Sequence, residues 1–363
     1  MARAAKERLN ISLCAHFDII HETFQMLDQT PAFSVKKVSW EEVVKMGEQV
    51  SKQATVAGML WTGEVPRLQE LEENMKVYFN LLQGFLLLSY ESTAGAGPTL
   101  SSSIHAAAKH VVDSSFALMK AAVSSYGSRN KDHKLSIPQL AGTVWESCES
   151  LKKTPNTNYT AIGRAITQIA VSVKDVLREL KELKPAALDP VDEVSQTPTS
   201  DTSDHPHNDG SSSEGDLGND LSPEEMKIAQ SASALVSDTL NVLKELIRFV
   251  TGLLKHSNAR DTRETVDSLE SLLSICQGIG VHVDELGACL YPPQEVPALK
   301  LAAESISAGI GKLQEEVRIL NGASEGFFDA CGAFENSLRT LLSELKSADD
   351  PNLETQMQSL AMN

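Results

Sequence analysis

From Tyr159 onward, apolar residues recur at Ile162, Ile166, Ile169, Val173, Val176, Leu180 and Leu183. Steps of three and four place all of them on one stripe of a helix. The same spacing returns along the chain. It appears at Leu13, Phe17, Ile20, Phe24 and Leu27, and at Ile104, Ala108, Val111, Phe116, Met119 and Val123. It appears again at Ala229, Ala232, Val236, Leu240, Leu243, Ile247, Val250 and Leu254. No stretch sustains the period-two alternation of a half-buried strand. Segments that each carry one apolar stripe bury it by packing helix on helix. The spacing therefore predicts an all-α protein of ten helices, at about 4–29, 39–62, 66–93, 98–126, 136–152, 157–184, 222–257, 261–290, 294–321 and 325–346. Two starts carry a capping-box pattern: Ser39 with Glu42, and Ser222-Pro223-Glu224-Glu225, where proline suits the first turn.

One segment breaks the pattern. Between Pro185 and Pro223 lie five of the 14 prolines, ten Ser or Thr, nine acidic residues and no Lys or Arg. Such a composition cannot bury a core. It predicts a disordered acidic Ser/Pro-rich linker over 185–221 between two antiparallel helical bundles, 1–184 and 222–346, with a frayed tail at 347–363. Its position assigns helix 157–184 to the first bundle, although it is also free to pack with the second. The linker also relocates the charge. Lys plus Arg is 32 and Asp plus Glu is 49, so the net charge is 32 − 49 = −17. Nine of those negatives sit in the linker, leaving 17 − 9 = 8 for the rest. An acidic chain with 5% aromatics argues against a general binder of phosphate backbones, single strands or anionic membranes. With only −8 on the folded parts, a local basic face stays open.

The N-terminus is charged and amphipathic, without the apolar core of a signal peptide. The most apolar run, 81–90, is about half the length of a membrane span. A soluble intracellular protein is expected. The five cysteines, Cys14, Cys148, Cys276, Cys289 and Cys331, are scattered without a CxxC pair, which fits reduced and mostly buried thiols.

Catalytic and cofactor patterns are missing. His21-Glu22 has no second histidine at metalloprotease spacing. Gly309-Ile310-Gly311-Lys312 lacks the upstream glycine of a phosphate loop and sits mid-helix. No GxSxG or GxGxxG occurs. Paired carboxylates such as Glu72-Glu73 and Glu315-Glu316 read as solvated helix faces. The expectation is no enzyme, no cofactor and no metal. The linker is the more informative region. Ser211 and Ser213 each have an acid three residues on, and Thr197-Pro198 and Ser222-Pro223 are minimal proline-directed sites. All four are candidate phosphorylation sites. Tyr291-Pro292-Pro293 must turn the chain, either as a rigid interhelical corner or as a docking point.

Specific segments carry a resemblance. Ser39-Trp40-Glu41-Glu42-Val43 with Ser51-Lys52-Gln53-Ala54-Thr55 resembles the early helix of the cyclin-D-binding (GCIP) family. Val144-Trp145-Glu146-Ser147-Cys148, with Pro155 and Ala161, resembles its middle signature. The best match is Val283-Asp284-Glu285-Leu286-Gly287-Ala288-Cys289-Leu290-Tyr291-Pro292-Pro293, which resembles the family's acidic-apolar helix end running into Tyr-Pro-Pro, and the acidic linker falls at the family's position. The chain looks like a plant-type member. The resemblance implies helical bundles similar to those of talin and vinculin. It also implies association with D-type cyclins and helix-loop-helix transcription regulators, restraint of cell-cycle progression, and residence in nucleus and cytoplasm. The family is described as helix-loop-helix-like, but no basic region precedes such a unit here, so direct DNA reading is not expected. The leading function is a non-enzymatic interaction regulator; the alternative is a talin- or vinculin-like adaptor at cytoskeletal or membrane complexes. The large apolar side chains left exposed after folding should mark a partner surface.

Overall fold

The computed structural model describes residues 2–29, 31, 37–62, 67–127, 131–185, 220–256, 262–320 and 325–361. Among them are ten α-helices: α1 (Ala2–Gln25), α2 (Trp40–Thr62), α3 (Leu68–Ser92), α4 (Pro98–Ser125), α5 (Lys131–Ser150), α6 (Asn158–Glu182), α7 (Pro223–His256), α8 (Arg263–Ala288), α9 (Val296–Ile319) and α10 (Glu325–Ala361). The protein is all-α. The one extended pairing among the described residues is a two-residue parallel contact, Lys184 opposite Asp220 and Pro185 opposite Leu221. Two boundaries differ from the sequence reading. Helix α5 begins at Lys131, so Pro138 lies inside it. Helix α10 continues to Ala361 rather than ending near 346. The stretch read as a disordered linker falls almost wholly on 186–219, outside the described residues.

The chain forms two compact units. One holds Met1–Arg164 with Thr251–Glu270, and the other holds Ala165–Val250 with Ser271–Asn363. The division falls inside α6, so most of that helix belongs with the second set.

In the first unit the apolar stripes of α1–α5 meet in a continuous core that includes Leu9, Val50, Met75, Phe85, Leu118 and Val144. Full burial of each such side chain contributes roughly 1.5–3 kcal/mol. Phe17 of α1, Phe79 of α3 and Phe116 of α4 lock three helices together; Phe17 stacks on Phe116 at 3.9 Å and meets Phe79 edge-on at 5.8 Å. The Tyr78 hydroxyl donates to Ser115 Oγ at 2.9 Å inside this core, which satisfies a polar tip that would otherwise cost stability. Helices α2 and α5 run antiparallel. Trp40 Nε1 at the start of α2 donates to the Leu151 carbonyl just after α5, at 2.9 Å. Farther along, Trp145 Nε1 donates to Thr55 Oγ1 at 3.1 Å.

The turn from α3 to α4 is held from two directions. Gly95 adopts φ +74°, where a side chain would be strained. Asn158, 1% exposed, accepts the Gly97 N–H at 2.8 Å and donates to the Gly95 carbonyl at 3.0 Å. A Cβ on Gly97 would lie 2.6 Å from Glu270 Oε1 and 2.8 Å from Val266 Cγ1.

In the second unit, helices far apart along the chain meet as well as consecutive ones. Helix α8 meets α6 where Gly287 faces Val176, and meets α9 where Gly309 faces Ile279. Ser271 Oγ donates to Glu316 at 2.8 Å between α8 and α9. Lys227 of α7 pairs with Glu344 of α10 at 2.7 Å, and Ser337 of α10 donates to Asp238 of α7 at 2.5 Å.

Candidate interaction surface

Among the described residues no group of three or more His, Cys, Asp or Glu is placed to hold a metal ion, and no helix is long and apolar enough to cross a membrane. The paired carboxylates are partly engaged. Glu72 pairs with Arg8 at 3.0 Å, and Glu316 accepts the Ser271 hydroxyl. Both glycines before Lys312 lie inside α9; Gly309 serves close packing, because a Cβ there would lie 2.7 Å from Ile279, whereas a Cβ on Gly311 would meet open space. His21 shares a hydrogen bond with Gln25 one turn on.

The largest exposed apolar side chain in the first unit is Trp145. Trp40 and Trp61 are buried at 9% and 3% exposure, whereas Trp145 is 45% exposed. It sits on α5 one position off the buried sequence Ala141, Val144, Cys148, Leu151. Its indole is fixed by Thr55 of α2. On α2, Val56 and Met59 follow Thr55 by one and four residues and are 45% and 65% exposed. The turn of α2 that begins at the residue holding the indole thus carries two exposed apolar side chains, and tryptophan and methionine are over-represented where partners bind. At the other end of this α2–α5 seam, Lys152 bridges Glu48 and Glu149 at 3.5 and 2.9 Å. Glu149 and then Glu48 hold the Lys152 ammonium above its ordinary pKa. These residues were not singled out as a surface in the sequence. The available signal was that large apolar side chains lie off the core stripe.

Two grooves open on the same unit. One, of about 420 Å³, runs between α1 and α3 past Ser12, His16, Glu73, Lys76, Phe79 and Asn80. His16 stacks on Phe79 at 4.9 Å. Burial, aided by Lys76, pushes the imidazole pKa down, which favours the neutral ring. The second, of about 390 Å³, lies at the start of α2 beside Trp40, Ser92, Ile104 and Thr157.

Of the residues proposed from sequence, Ser222 and Tyr291-Pro292-Pro293 are described, and Thr197, Ser211 and Ser213 lie outside the described residues. Ser222 forms the full capping box at the start of α7. Its N–H donates to Glu225 Oε2 at 2.9 Å, and its Oγ accepts the Glu225 N–H at 3.2 Å. Hydrogen bonds from Ser222 pull the Glu225 carboxyl pKa below its ordinary value, against a smaller opposing effect of burial. Tyr291, 39% exposed, and the cis Pro292–Pro293 pair lead from α8 to α9. Gln294 follows them. Its N–H approaches Glu225 Oε1 at 3.5 Å, and its Nε2 donates to the Glu225 and Leu290 carbonyls at 3.0 and 3.1 Å. The sequence brings Ser222 and the proline corner no closer than 69 residues; Glu225 and Gln294 join them.

These features define an all-α protein of two helical-bundle units that presents apolar side chains and an aromatic anchor at its surface. The chain belongs to the Grap2 and cyclin-D-interacting family. Residues 42–186 match the family's N-terminal model and residues 201–315 its C-terminal model. It is similar to a cyclin-D1-binding protein 1 homolog of Xenopus laevis, 25% identical over 279 residues, covering 76% of this chain and 78% of that one. It is also similar to a cyclin-D1-binding protein 1 homolog of Danio rerio, 23% identical over 330 residues, covering 88% and 90%.

Proposed function

We propose that this chain is a non-enzymatic interaction regulator that binds a D-type cyclin, and that it restrains cell-cycle progression. The observation that carries this reading is the match of both halves to the family models, together with relatives named for binding cyclin D1. Binding to helix-loop-helix regulators, and residence in nucleus and cytoplasm, belong to the same reading. On the physical side, the Trp145, Val56 and Met59 face supports it, because a fixed indole beside exposed aliphatic groups loses little side-chain entropy on docking.

The test is a titration of the full chain with a purified D-type cyclin. Saturable binding at micromolar concentration or tighter is expected. No binding at micromolar concentration removes the cyclin from the reading, and co-sedimentation with actin filaments in its place moves it to a talin-like adaptor. Loss of the chain from cells should raise the fraction entering S phase if the restraint is real.

A further inference from the structure

We infer that Ser222 is a phosphorylation site whose modification opens the first turn of α7 and releases it from the α8–α9 corner. The inference is independent of the partner proposed above.

Ser222-Pro223 supplies the hydroxyl and the following proline that a proline-directed protein kinase requires. Ser222 is also half-buried rather than sealed in the core. Its hydroxyl is one half of a reciprocal pair, and Glu225 is the other half. The same carboxylate reaches the Gln294 N–H, while the Glu225 carbonyl accepts from Gln294 Nε2. One residue therefore ties the start of α7 both to Ser222 and to the corner after Pro293.

Phosphoryl transfer from ATP forms an Oγ–P bond, breaks the β,γ-phosphoanhydride, releases ADP and passes the hydroxyl proton to the kinase's base. The product carries nearly two negative charges. A helix N-terminus offers about half a positive charge in return. Glu225 places a full negative charge against Ser222 itself, and Glu224 adds another on the same turn. The nearest cation on α7, Lys227, is committed to Glu344 at 2.7 Å. Lys184 stands opposite Asp220 in the backbone pairing and is exposed. Repulsion from these carboxylates outweighs the helix dipole, and it acts directly on the Ser222–Glu225 capping box. Opening gives up the two Gln294 bonds to Glu225 and gains hydration at the same corner. Gln294 Oε1 is buried there without a hydrogen-bond partner, so release hydrates an acceptor that the closed form leaves unsatisfied. Ile228 and Ala229 are buried at 4% and 2% exposure, which confines the opening to the turn before them.

The experiment treats the full chain with a proline-directed serine/threonine kinase and ATP, locates the phosphate by mass spectrometry, and follows amide hydrogen exchange. Phosphate at Ser222 should speed exchange about tenfold at the amides of residues 224–227, 290, 291 and 294–296 and leave the rest of α7 unchanged. Glu225→Gln should reduce that acceleration, because it removes the repelling charge while keeping the side-chain shape. Ser222→Glu should act in the same direction with a smaller amplitude. Failure of the folded chain to take phosphate at Ser222 overturns the inference. So does unchanged or slower exchange in the phosphorylated protein.

Discussion

Glu270 grips the first turn of α4 through Thr99 with both carboxylate oxygens: Oε1 accepts the Thr99 N–H at 2.9 Å and Oε2 accepts its hydroxyl at 2.7 Å. Helix α4 begins Gly97-Pro98-Thr99 and has no side-chain cap from Gly97. A carboxylate 171 residues away fills that role. It sits where the helix dipole favours negative charge.

Glu270→Ala should therefore destabilise the first unit by about 1–3 kcal/mol, since it removes two charge-assisted bonds and leaves an N–H bare. Glu270→Gln keeps one acceptor and should lose less. Urea denaturation of the full chain, read by circular dichroism, measures both. Equal stability of all three proteins would deny Glu270 this role.

Gly97→Ala tests the same place from the other side. The added methyl would sit 2.6 Å from Glu270 Oε1, so the carboxylate must withdraw from Thr99. A cost of roughly 1–3 kcal/mol is expected. The cost should shrink when Glu270 is already alanine, because neighbouring sites are not additive. A double-mutant cycle returning zero coupling would contradict the close approach.

Trp145→Ala should weaken cyclin binding by about 2 kcal/mol or more, roughly thirtyfold, if the α2–α5 face docks the partner. Stability should fall much less, because the ring is 45% exposed. Thr55→Ala frees the indole N–H and should weaken binding by a smaller factor. Isothermal titration beside thermal melts separates the two effects. Unchanged affinity for Trp145→Ala sends the docking surface elsewhere.

The Glu225 carboxyl titrates below the ordinary glutamate value of 4.5, chiefly through its bond from the Ser222 backbone. A depressed folded pKa means the stabilisation is fully present above 4.5 and is lost as pH falls through the lower folded value. Amide exchange at Ser222 and Gln294 should rise in that acid window ahead of the rest of α7. Glu225→Gln should remove this pH dependence; its persistence in the variant would assign the effect to another group.

Cysteine reactivity should divide sharply. Cys14 is exposed, whereas Cys148 and Cys276 are buried. Burial pushes both buried thiols up to about 12. At pH 8 an alkylating reagent should label Cys14 quickly in the native protein and reach Cys148 and Cys276 only on unfolding. Peptide mapping after a timed pulse gives the order directly.

Much of this architecture is legible in the sequence, because apolar steps of three and four are a local property. The stripe from Leu13 to Leu27 gives α1, and Ser222 with Glu225 gives the start of α7 to the residue. Pro138 hides the first turns of α5, since a proline inside a helix normally marks its edge. What the pattern does not carry is the choice of neighbour. The stripe of α6 looks the same whichever helices it packs on, and Val176 meeting Gly287 is a fact of tertiary fit. Glu270 reads as one more surface acid on α8 until Thr99 is placed beside it. Trp145 reads as part of a family signature, and only the burial of its neighbours Val144 and Cys148 leaves the indole facing outward.

The membership of residues 251–270 in the first unit bears on how the protein can be dissected. A cut in the acidic stretch looks like a clean way to obtain two halves, yet the N-terminal piece would lack the segment that carries Val266 and Glu270. Thr99 would lose the acceptor of its hydroxyl, and the void beside Gly97 would fill with water. Such a fragment is a damaged protein rather than half of one, and a failure to bind would say nothing about which end of the intact chain meets its partner.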